Sequence, residues 1–243
     1  MVIPGQTIRR GMGRVVIEGR LLHPAAVLVQ TRESSREAMV FGSDAGAVVS
    51  LLAASDGWTF VSLPAHLVGD VAREIRTRIG LDSVAHRDLF YQLDGKPVEH
   101  PSKHVRILSR VDLRLLEKSD PVFHDPAFRT NADFLSEGIV AAAILGGQIV
   151  SSAAMSYASA RFGDVGVTTL APFRNRGLAT CVAYRACEEV LARGLIPIWS
   201  TLDTNRASQR VAEKLGFRPL SPQGVLVFPT LEKSRGFRPD SNP

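Results

Sequence analysis

The segment Arg174-Asn175-Arg176-Gly177-Leu178-Ala179 has the residue types that bind a diphosphate. It follows a predicted strand and opens a predicted helix, and a helix N-terminus presents unpaired backbone N–H groups with about half a positive charge. A pyrophosphate placed there accepts several hydrogen bonds at once. Gly177 allows close approach to the backbone, small Ala179 keeps the next turn clear, and both arginines add charge-assisted donors. The alternative is a glycine that starts a helix beside two solvated arginines.

The elements that position this segment are predicted from hydrophobic periodicity and from turn residues. Gly146-Gly147 has the conformational freedom of a two-residue hairpin turn. Gly194 and Gly216 stand where the two longer helices end. In chain order the predictions are strand Val105–Leu108, helix Val111–Glu117, strands Ile139–Leu145, Gln148–Ala160 and Val165–Leu170, helix Gly177–Arg193, strand Ile196–Thr201, helix Ala207–Leu215 and strand Val225–Phe228. This order predicts an α/β (α+β) fold with a mixed sheet flanked by helices.

The N-terminal part of the chain also alternates strands and helices. Its clearest helix is predicted over Val68–Ile79, where apolar residues form one stripe and Gly80 follows the last turn. The turn Asp94-Gly95-Lys96-Pro97 precedes a new periodic segment at Val105. We therefore predict a smaller α/β accessory domain over residues 1–104, a second domain over 105–228 and a polar tail over 229–243.

The composition is that of an ordinary globular protein, with 45% hydrophobic and 22% charged residues. A net charge of +5 suits a polyanionic small ligand as well as nucleic acid, and the arginines form no tight basic block, so we do not expect a nucleic-acid partner. Cys181 and Cys187 are poorly spaced for a disulfide on one helix, which favours a reducing compartment. Val15–Ile17 is too short for a signal peptide, and no segment approaches the ~20 apolar residues of a membrane span. We expect a cytoplasmic protein without a membrane partner.

Two motifs together resemble the GNAT superfamily of acetyltransferases. Its signature Gln/Arg-x-x-Gly-x-Gly/Ala lies between a strand and a helix, and Arg174, Gly177 and Ala179 fill the named positions. Asn205-Arg206-Ala207-Ser208 and Lys214-Leu215-Gly216-Phe217 follow at the distance usual in that family. The sequence of residues 177–205 further resembles that of a bacterial subgroup that includes the zwittermicin-resistance acetyltransferases. The similarity covers about residues 164 to 220, so the acceptor half of the site lies outside it.

The resemblance implies a GNAT acyltransferase fold in the C-terminal half and acetyl-CoA as the donor co-substrate. Asn205 would then reach the pantetheine arm and Ser208 would lie near the coenzyme. Taken singly, Asn205 would be a helix N-cap and Ser208 a solvated hydroxyl. The residues predicted to bind the coenzyme are Leu170, Arg174, Asn175, Arg176, Gly177, Leu178, Ala179, Thr180, Asn205 and Ser208.

The catalytic groups are less clearly marked. Many members of the family place a tyrosine acid seven residues after the asparagine, where this chain has Ala212. An attacking amine must lose a proton, and a carboxylate base helps. Asp164 lies near the position of a catalytic glutamate in some relatives, and Glu137 is a second candidate; the alternatives are a solvated strand-end carboxylate and a loop residue. His100 and His104 have metal-ligand spacing, but Pro101 restricts the helix, so no metal is predicted.

We therefore predict an acetyl-CoA-dependent N-acetyltransferase that acts by direct attack on a primary amine of a small molecule. Two alternatives stay open. The acceptor is a protein amine, or the domain binds acyl-CoA without turnover as a sensor or interaction module, which the missing tyrosine motivates. A homodimer also stays open.

Overall fold

The computed structural model describes residues 13–31 and 37–229, and in these ranges twelve strands pair into one mixed sheet. The strands are β1 (Gly13–Arg20), β2 (His23–Thr31), β3 (Glu37–Gly42), β4 (Phe60–Leu63), β5 (Val84–Gln92), β6 (Val105–Ile107), β7 (Ile139–Leu145), β8 (Gln148–Ala158), β9 (Phe162–Thr169), β10 (Ile196–Leu202), β11 (Arg218–Pro219) and β12 (Gln223–Val227). Their order across the sheet is β1-β2-β3-β4-β12-β5-β10-β9-β8-β7-β6, and β11 pairs with β5 beside β12. All helices lie on the two faces of this sheet.

Six α-helices lie within the described residues. They are α1 (Ala45–Ala53), α2 (Val68–Ile79), α3 (Leu113–Glu117), α4 (Asn131–Glu137), α5 (Leu178–Ala192) and α6 (Arg206–Lys214). Their ends follow local capping chemistry: Asp44 and Thr130 cap α1 and α4 by accepting backbone N–H bonds, and α2 ends at Gly80 in the left-handed conformation. None of these helices is long and apolar enough to span a membrane.

Helices α1, α2 and α5 pack on the same face of the sheet. The buried row of α5, which includes Val182, Ala186 and Val190, packs with Val165 of β9 and Trp199 of β10. Side chains from α1 and α2 form a second cluster with β2, β3, β4 and β12. Successive side chains of a strand point to opposite faces of the sheet. The strand residues that alternate with those in these two clusters therefore lie on the opposite face.

The opposite face is only partly covered. Helices α3 and α4 pack over its β7–β8 end, where Leu116 and Phe134 contact Val140, Ala142 and Ile149. Alternation places Asp164 of β9, Ile198 and Ser200 of β10, and Asp88 and Phe90 of β5 on this same face, beyond the reach of that cluster. In the part of the chain that the structure describes, the middle of the sheet therefore has an uncovered face that is open to a ligand.

The two halves of the chain share the sheet. Strand β5 comes from the N-terminal half and pairs with both β10 and β12 from the C-terminal half. Leu226 of β12 and the adjoining Phe228 are fully buried in the cluster of α1 and α2. The domain boundary at 104/105 stays a prediction, and the sheet crosses it without a break.

The predicted fold class is confirmed, because helices and strands alternate around one mixed sheet. The helix over Val68–Ile79 and the strand over Ile139–Leu145 have the predicted bounds, and the strand predicted to Ala160 ends at Ala158. The segment Val111–Glu117 is split, because a 3-10 turn precedes α3. Apart from its first residue, the predicted tail lies outside the described residues.

The close packing of β12 on α2 predicts the effect of a small substitution. A Cβ built on Gly224 would overlap Cγ2 of Val68, whose β-branched side chain has little rotamer freedom. Gly224→Ala should lower the free energy of unfolding by about 1–3 kcal/mol, as overpacking in a core does. Gly166→Ala on β9 is the control, because its Cβ would meet no described atom within 4 Å. Urea unfolding compares the two, and equal midpoints would contradict the prediction.

Candidate active site

The parallel strands β9 and β10 pair only at their beginnings. Their register contains three residue pairs, Phe162 with Ile196, Gly163 with Pro197 and Asp164 with Ile198. Beyond Asp164 and Ile198 the strands continue to Thr169 and Leu202 without pairing to each other. Their carboxyl ends therefore diverge and leave an opening with unpaired backbone N–H and C=O groups along its walls. Carboxyl ends of parallel strands are common ligand sites.

The loop that follows β9 has an unusual backbone. Among the described residues, Asn175 is the only non-glycine with a positive φ, at 61°, and Gly177 has a φ of 78°. Asparagine and glycine are the residues that adopt this left-handed conformation at lowest cost. The Arg174 side chain anchors the loop, because its Nε donates to the carbonyl oxygen of Thr169 at 3.2 Å.

Helix α5 begins directly after this loop with its first N–H groups uncapped. Gly177 is the N-cap residue, and no side chain of the described part of the chain accepts a hydrogen bond there. The first intrahelical bond runs from the Cys181 N–H to the Gly177 carbonyl oxygen at 3.2 Å, so the preceding amides face the loop. Arg176 stacks over the Phe173 ring at 5.3 Å and stays exposed. The local geometry has the donors and the charge that a pyrophosphate needs.

Asn205 and Ser208 lie at the start of α6, after the end of β10. Asn205 is the N-cap residue, and its Oδ1 accepts from the Ser208 N–H at 3.1 Å. The Ser208 Oγ accepts from Nε1 of the buried Trp199 at 2.9 Å. Both side chains therefore have structural partners, while their predicted contacts with a coenzyme stay predictions.

A cavity of about 460 Å³ lies on the open face of the sheet, next to the last rung between β9 and β10. Its volume is in the range of small-molecule sites. Strands β3, β4, β5, β9, β10 and β12 and the turn before β12 supply its walls. The lining residues are Glu37, Met39, Ser62, Asp88, Phe90, Tyr91, Gln92, Phe162, Asp164, Ile198, Ser200, Leu220, Ser221 and Gln223.

Three carboxylates line this cavity, and the pKa of each is raised above its ordinary value. Burial, and then the charge of Glu37, raise the pKa of Asp164 to about 7. Burial, with the charges of Glu37 and Asp164, raises the pKa of Asp88 to about 7, against a hydrogen bond from the Thr201 backbone. Burial also raises the pKa of Glu37, although Ser62 Oγ donates to its Oε1 at 2.6 Å. Desolvation and like charge both favour the neutral acid.

The structure separates the two predicted catalytic carboxylates. Asp164 lies at the last paired rung and lines the cavity. A register shift in β8 places Tyr157 opposite it. Glu137 ends α4 as an exposed residue that does not line this cavity, and its carbonyl oxygen accepts from Arg193 Nη1 at 3.2 Å. Asp164 therefore lines the cavity and Glu137 does not, and the role of each as a base stays a prediction.

Sequence reasoning missed Glu37 and Asp88. Asp88 is one polar residue within a strand, and Glu37 begins a strand more than a hundred residues before Asp164. Only the strand order β3-β4-β12-β5-β10-β9 places all three on one face. Alternation in β5 could have predicted that Asp88, Phe90 and Gln92 share a face, but the partner strands had no signal in the sequence.

Among the described residues, no group of three or more His, Cys, Asp or Glu side chains is arranged to hold a metal ion. His100 and His104 lie outside helices and strands, in the segment that leads into β6.

Residues 106–224 match the family model described as GNAT acetyltransferase. A protein of Bacillus subtilis (strain 168) named uncharacterized N-acetyltransferase YdfB is 26% identical over 118 residues, which are 47% of this chain and 45% of that protein. The match thus spans about half the length of that relative.

The fold resembles solved structures over nearly the whole chain. A GCN5-related N-acetyltransferase-like protein from Streptococcus suis 89/1591 has a TM-score of 0.69 at 17% identity, covering 92% of this chain and 98% of that chain. A GCN5-related N-acetyltransferase from Kribbella flavida has a TM-score of 0.59 at 16% identity, covering 93% of this chain and 94% of that chain. Likeness at these identities shows the fold alone.

These findings support the GNAT acetyltransferase family for this chain, as the two sequence motifs predicted. The match to the family model covers 119 of the 243 residues, slightly less than half of the chain. The narrower resemblance to the zwittermicin-resistance subgroup stays a prediction.

The carboxylates of the cavity predict how stability varies with pH. Because the pKa of Asp88 is raised to about 7 in the folded protein, the folded state holds a proton that the unfolded state releases near pH 4. Stability should therefore fall as the pH rises from about 4 to about 7. Asp88→Asn should weaken this fall and increase the free energy of unfolding above pH 7. Urea unfolding at several pH values measures both, and an unchanged slope would contradict the assignment.

Proposed function

We propose that this protein is an N-acetyltransferase that transfers the acetyl group of acetyl-CoA to a primary amine of a small molecule. The observation that carries the proposal is the position of Asp164, at the last rung before β9 and β10 diverge and in the wall of the cavity. A donor in the opening and an acceptor in the cavity would meet beside this carboxylate. The family match supports the same chemistry.

The loop and the start of α5 are suited to the diphosphate of coenzyme A. The left-handed Asn175 and Gly177 shape the loop, the uncapped amides of α5 point toward it, and Arg174 and Arg176 flank it. The pantetheine arm of a coenzyme held there would extend into the opening between β9 and β10. Unpaired backbone groups in that opening are suited to the amides of such an arm.

In the reaction, acetyl-CoA supplies a thioester carbonyl; a C–N bond to the amine forms, the C–S bond breaks and the thiolate leaves with the electron pair. The chain's own contribution is to remove a proton from the incoming ammonium. An unperturbed alkyl amine has a pKa of about 10.4, so only a small fraction is neutral near pH 7. Asp164, with its pKa raised to about 7, is a better-matched base than an ordinary aspartate.

The departing thiolate has no tyrosine at the family's usual position. Ala212 lies on the buried side of α6, where it is fully buried in the same cluster as Trp199. A thiol with an ordinary pKa of about 8.5 leaves without a dedicated acid near neutral pH. The proposed reaction is therefore chemically feasible without the tyrosine. Binding of acetyl-CoA without turnover would instead favour a role as a sensor.

A charge reversal at the start of α5 tests the donor site. Acetyl-CoA should raise the melting temperature, because a ligand of the native state stabilises it. Ala179→Glu places a carboxylate in the first turn, which favours the helix dipole but repels a diphosphate. We expect an unchanged or higher melting temperature of the free protein and an affinity for acetyl-CoA at least about tenfold lower, a loss of ~1.4 kcal/mol.

The matched control for that test is Ala179→Gln, which has the same shape without the charge. Calorimetric titration measures the affinities of both variants. If both variants bind acetyl-CoA as tightly as the wild-type protein does, the diphosphate lies elsewhere; a further loss in the glutamate variant relative to the glutamine variant measures the effect of the charge.

Removal of the proposed base tests the acceptor side. Asp164→Asn keeps the shape of the side chain, so kcat/KM for an amine should fall about 10²-fold or more while acetyl-CoA affinity stays nearly constant. In the wild type kcat/KM should decrease below about pH 7, where Asp164 is protonated, and the variant should lack this acidic limb. Thiol release measured across the pH range checks this. Wild-type rates in this variant would show that Asp164 is not the base. Glu137→Gln is measured in parallel, because Glu137 is the other predicted base.

A further inference from the structure

The charges in the cavity are of one sign. Glu37, Asp88 and Asp164 line it, and none of its lining residues in the described ranges is Lys, Arg or His. Among the described residues, the only hydrogen bonds to these carboxylates come from Ser62 and from the Thr201 backbone, and the Asp164 carboxylate accepts none. Buried negative charges destabilise the folded protein unless a cation pairs with them or a proton neutralises them. Within residues 13–31 and 37–229, no lining side chain supplies such a cation.

The three carboxylates occupy two places along the cavity. Asp164 stands at the rung with Ile198, next to the opening between β9 and β10. Asp88 pairs in register with Leu202, at the far end of β10, and with Gln223 of β12. Glu37 lies further across the sheet on β3, where Ser62 of β4 fixes its carboxylate. Asp88 therefore lies four residues along β10 from the rung of Asp164, and Glu37 lies three strands beyond β5; relative to Asp164 these two are the remote carboxylates.

Apolar side chains lie among these charges. Phe90 of β5, Ile198 of β10 and Phe162 of β9 line the cavity, together with Met39 and Leu220. Such walls bind a hydrocarbon segment and exclude water from the charges. A ligand with an apolar middle and a cation at each end would match both features, whereas a monoamine would leave the remote carboxylates without a partner.

We infer that the amine acceptor is a diamine or a longer polyamine, whose remote ammonium is bound by Glu37 and Asp88 while the nitrogen facing Asp164 is acetylated. This inference rests on the proposed function and names its substrate class. Acetylation removes the charge of one nitrogen only, so the product keeps the cation that the remote carboxylates bind.

The inference also assigns a role to the N-terminal half of the chain. Glu37 and Asp88, and the Ser62 that fixes Glu37, all precede residue 104, while Asp164 and the loop for the donor follow it. The N-terminal half would thus select the acceptor, and the C-terminal half would bind the donor and carry out the transfer.

The experiment compares hexylamine with hexamethylenediamine, which have the same carbon chain, by thiol release from acetyl-CoA. The wild-type protein should have a kcat/KM at least about tenfold higher for the diamine, since a hydrogen-bonded charge pair has an effect of that size. Asp88→Asn and Glu37→Gln should each reduce this preference, because each should raise KM for the diamine more than it changes kcat/KM for hexylamine. Both substitutions remove a repelled charge, so we expect the variants to fold.

Glu18→Gln is the matched control, because Glu18 is an exposed carboxylate of β1 outside the cavity. It should keep the full preference. A wild-type protein that acetylates both amines equally well would overturn the inference and leave the proposed function intact, and so would a preference that survives in the double variant Glu37→Gln/Asp88→Asn. Acetyl-CoA binding without transfer to any amine would instead overturn the proposed function, and the inference with it.

Discussion

The short pairing between β9 and β10 is the constraint on which the proposed site depends. Parallel strands that stayed paired to their ends would satisfy each other's backbone groups and close the sheet. Here the register stops at Asp164 and Ile198, although both strands continue. The loop before α5 can then hold a diphosphate at the carboxyl end of β9 while an attached chain passes between the strands. The same divergence places Asp164 at the edge of the opening.

The interleaving of the two halves provides the other wall. Strand β5 lies beside β10, and β12, from the C-terminal half of the chain, lies between β4 and β5. Leu226 and Phe228 are buried in the cluster of α1 and α2, so apolar burial joins the halves. Because of this arrangement Glu37 and Asp88 share a cavity with Asp164 despite their separation in the chain. The same packing that stabilises the sheet therefore also determines which residues line the cavity.

Three carboxylates in one cavity lower the free energy of unfolding through their electrostatics, and folding alone does not require them to be there. Burial raises the pKa of each, and the charges of neighbouring carboxylates add to this for Asp88 and Asp164, so near neutral pH the site holds protons that an exposed acid would have released. Proteins tolerate such costs mainly at functional sites, where a ligand or a reaction uses them. In the proposed reaction the raised pKa brings Asp164 close to the working pH, and a cationic acceptor relieves the repulsion.

The sequence by itself determined the local elements, including the loop before α5. The helix over Val68–Ile79 was predictable because its apolar stripe and Gly80 are local signals, and the segment from Arg174 to Ala179 because a loop before a helix N-terminus has its chemistry within six residues. Only the tertiary structure decided which carboxylates meet. Glu37 and Asp88 come together with Asp164 through strand order, and pairing between distant strands has no local signature, since alternation specifies a face without specifying the neighbour on it.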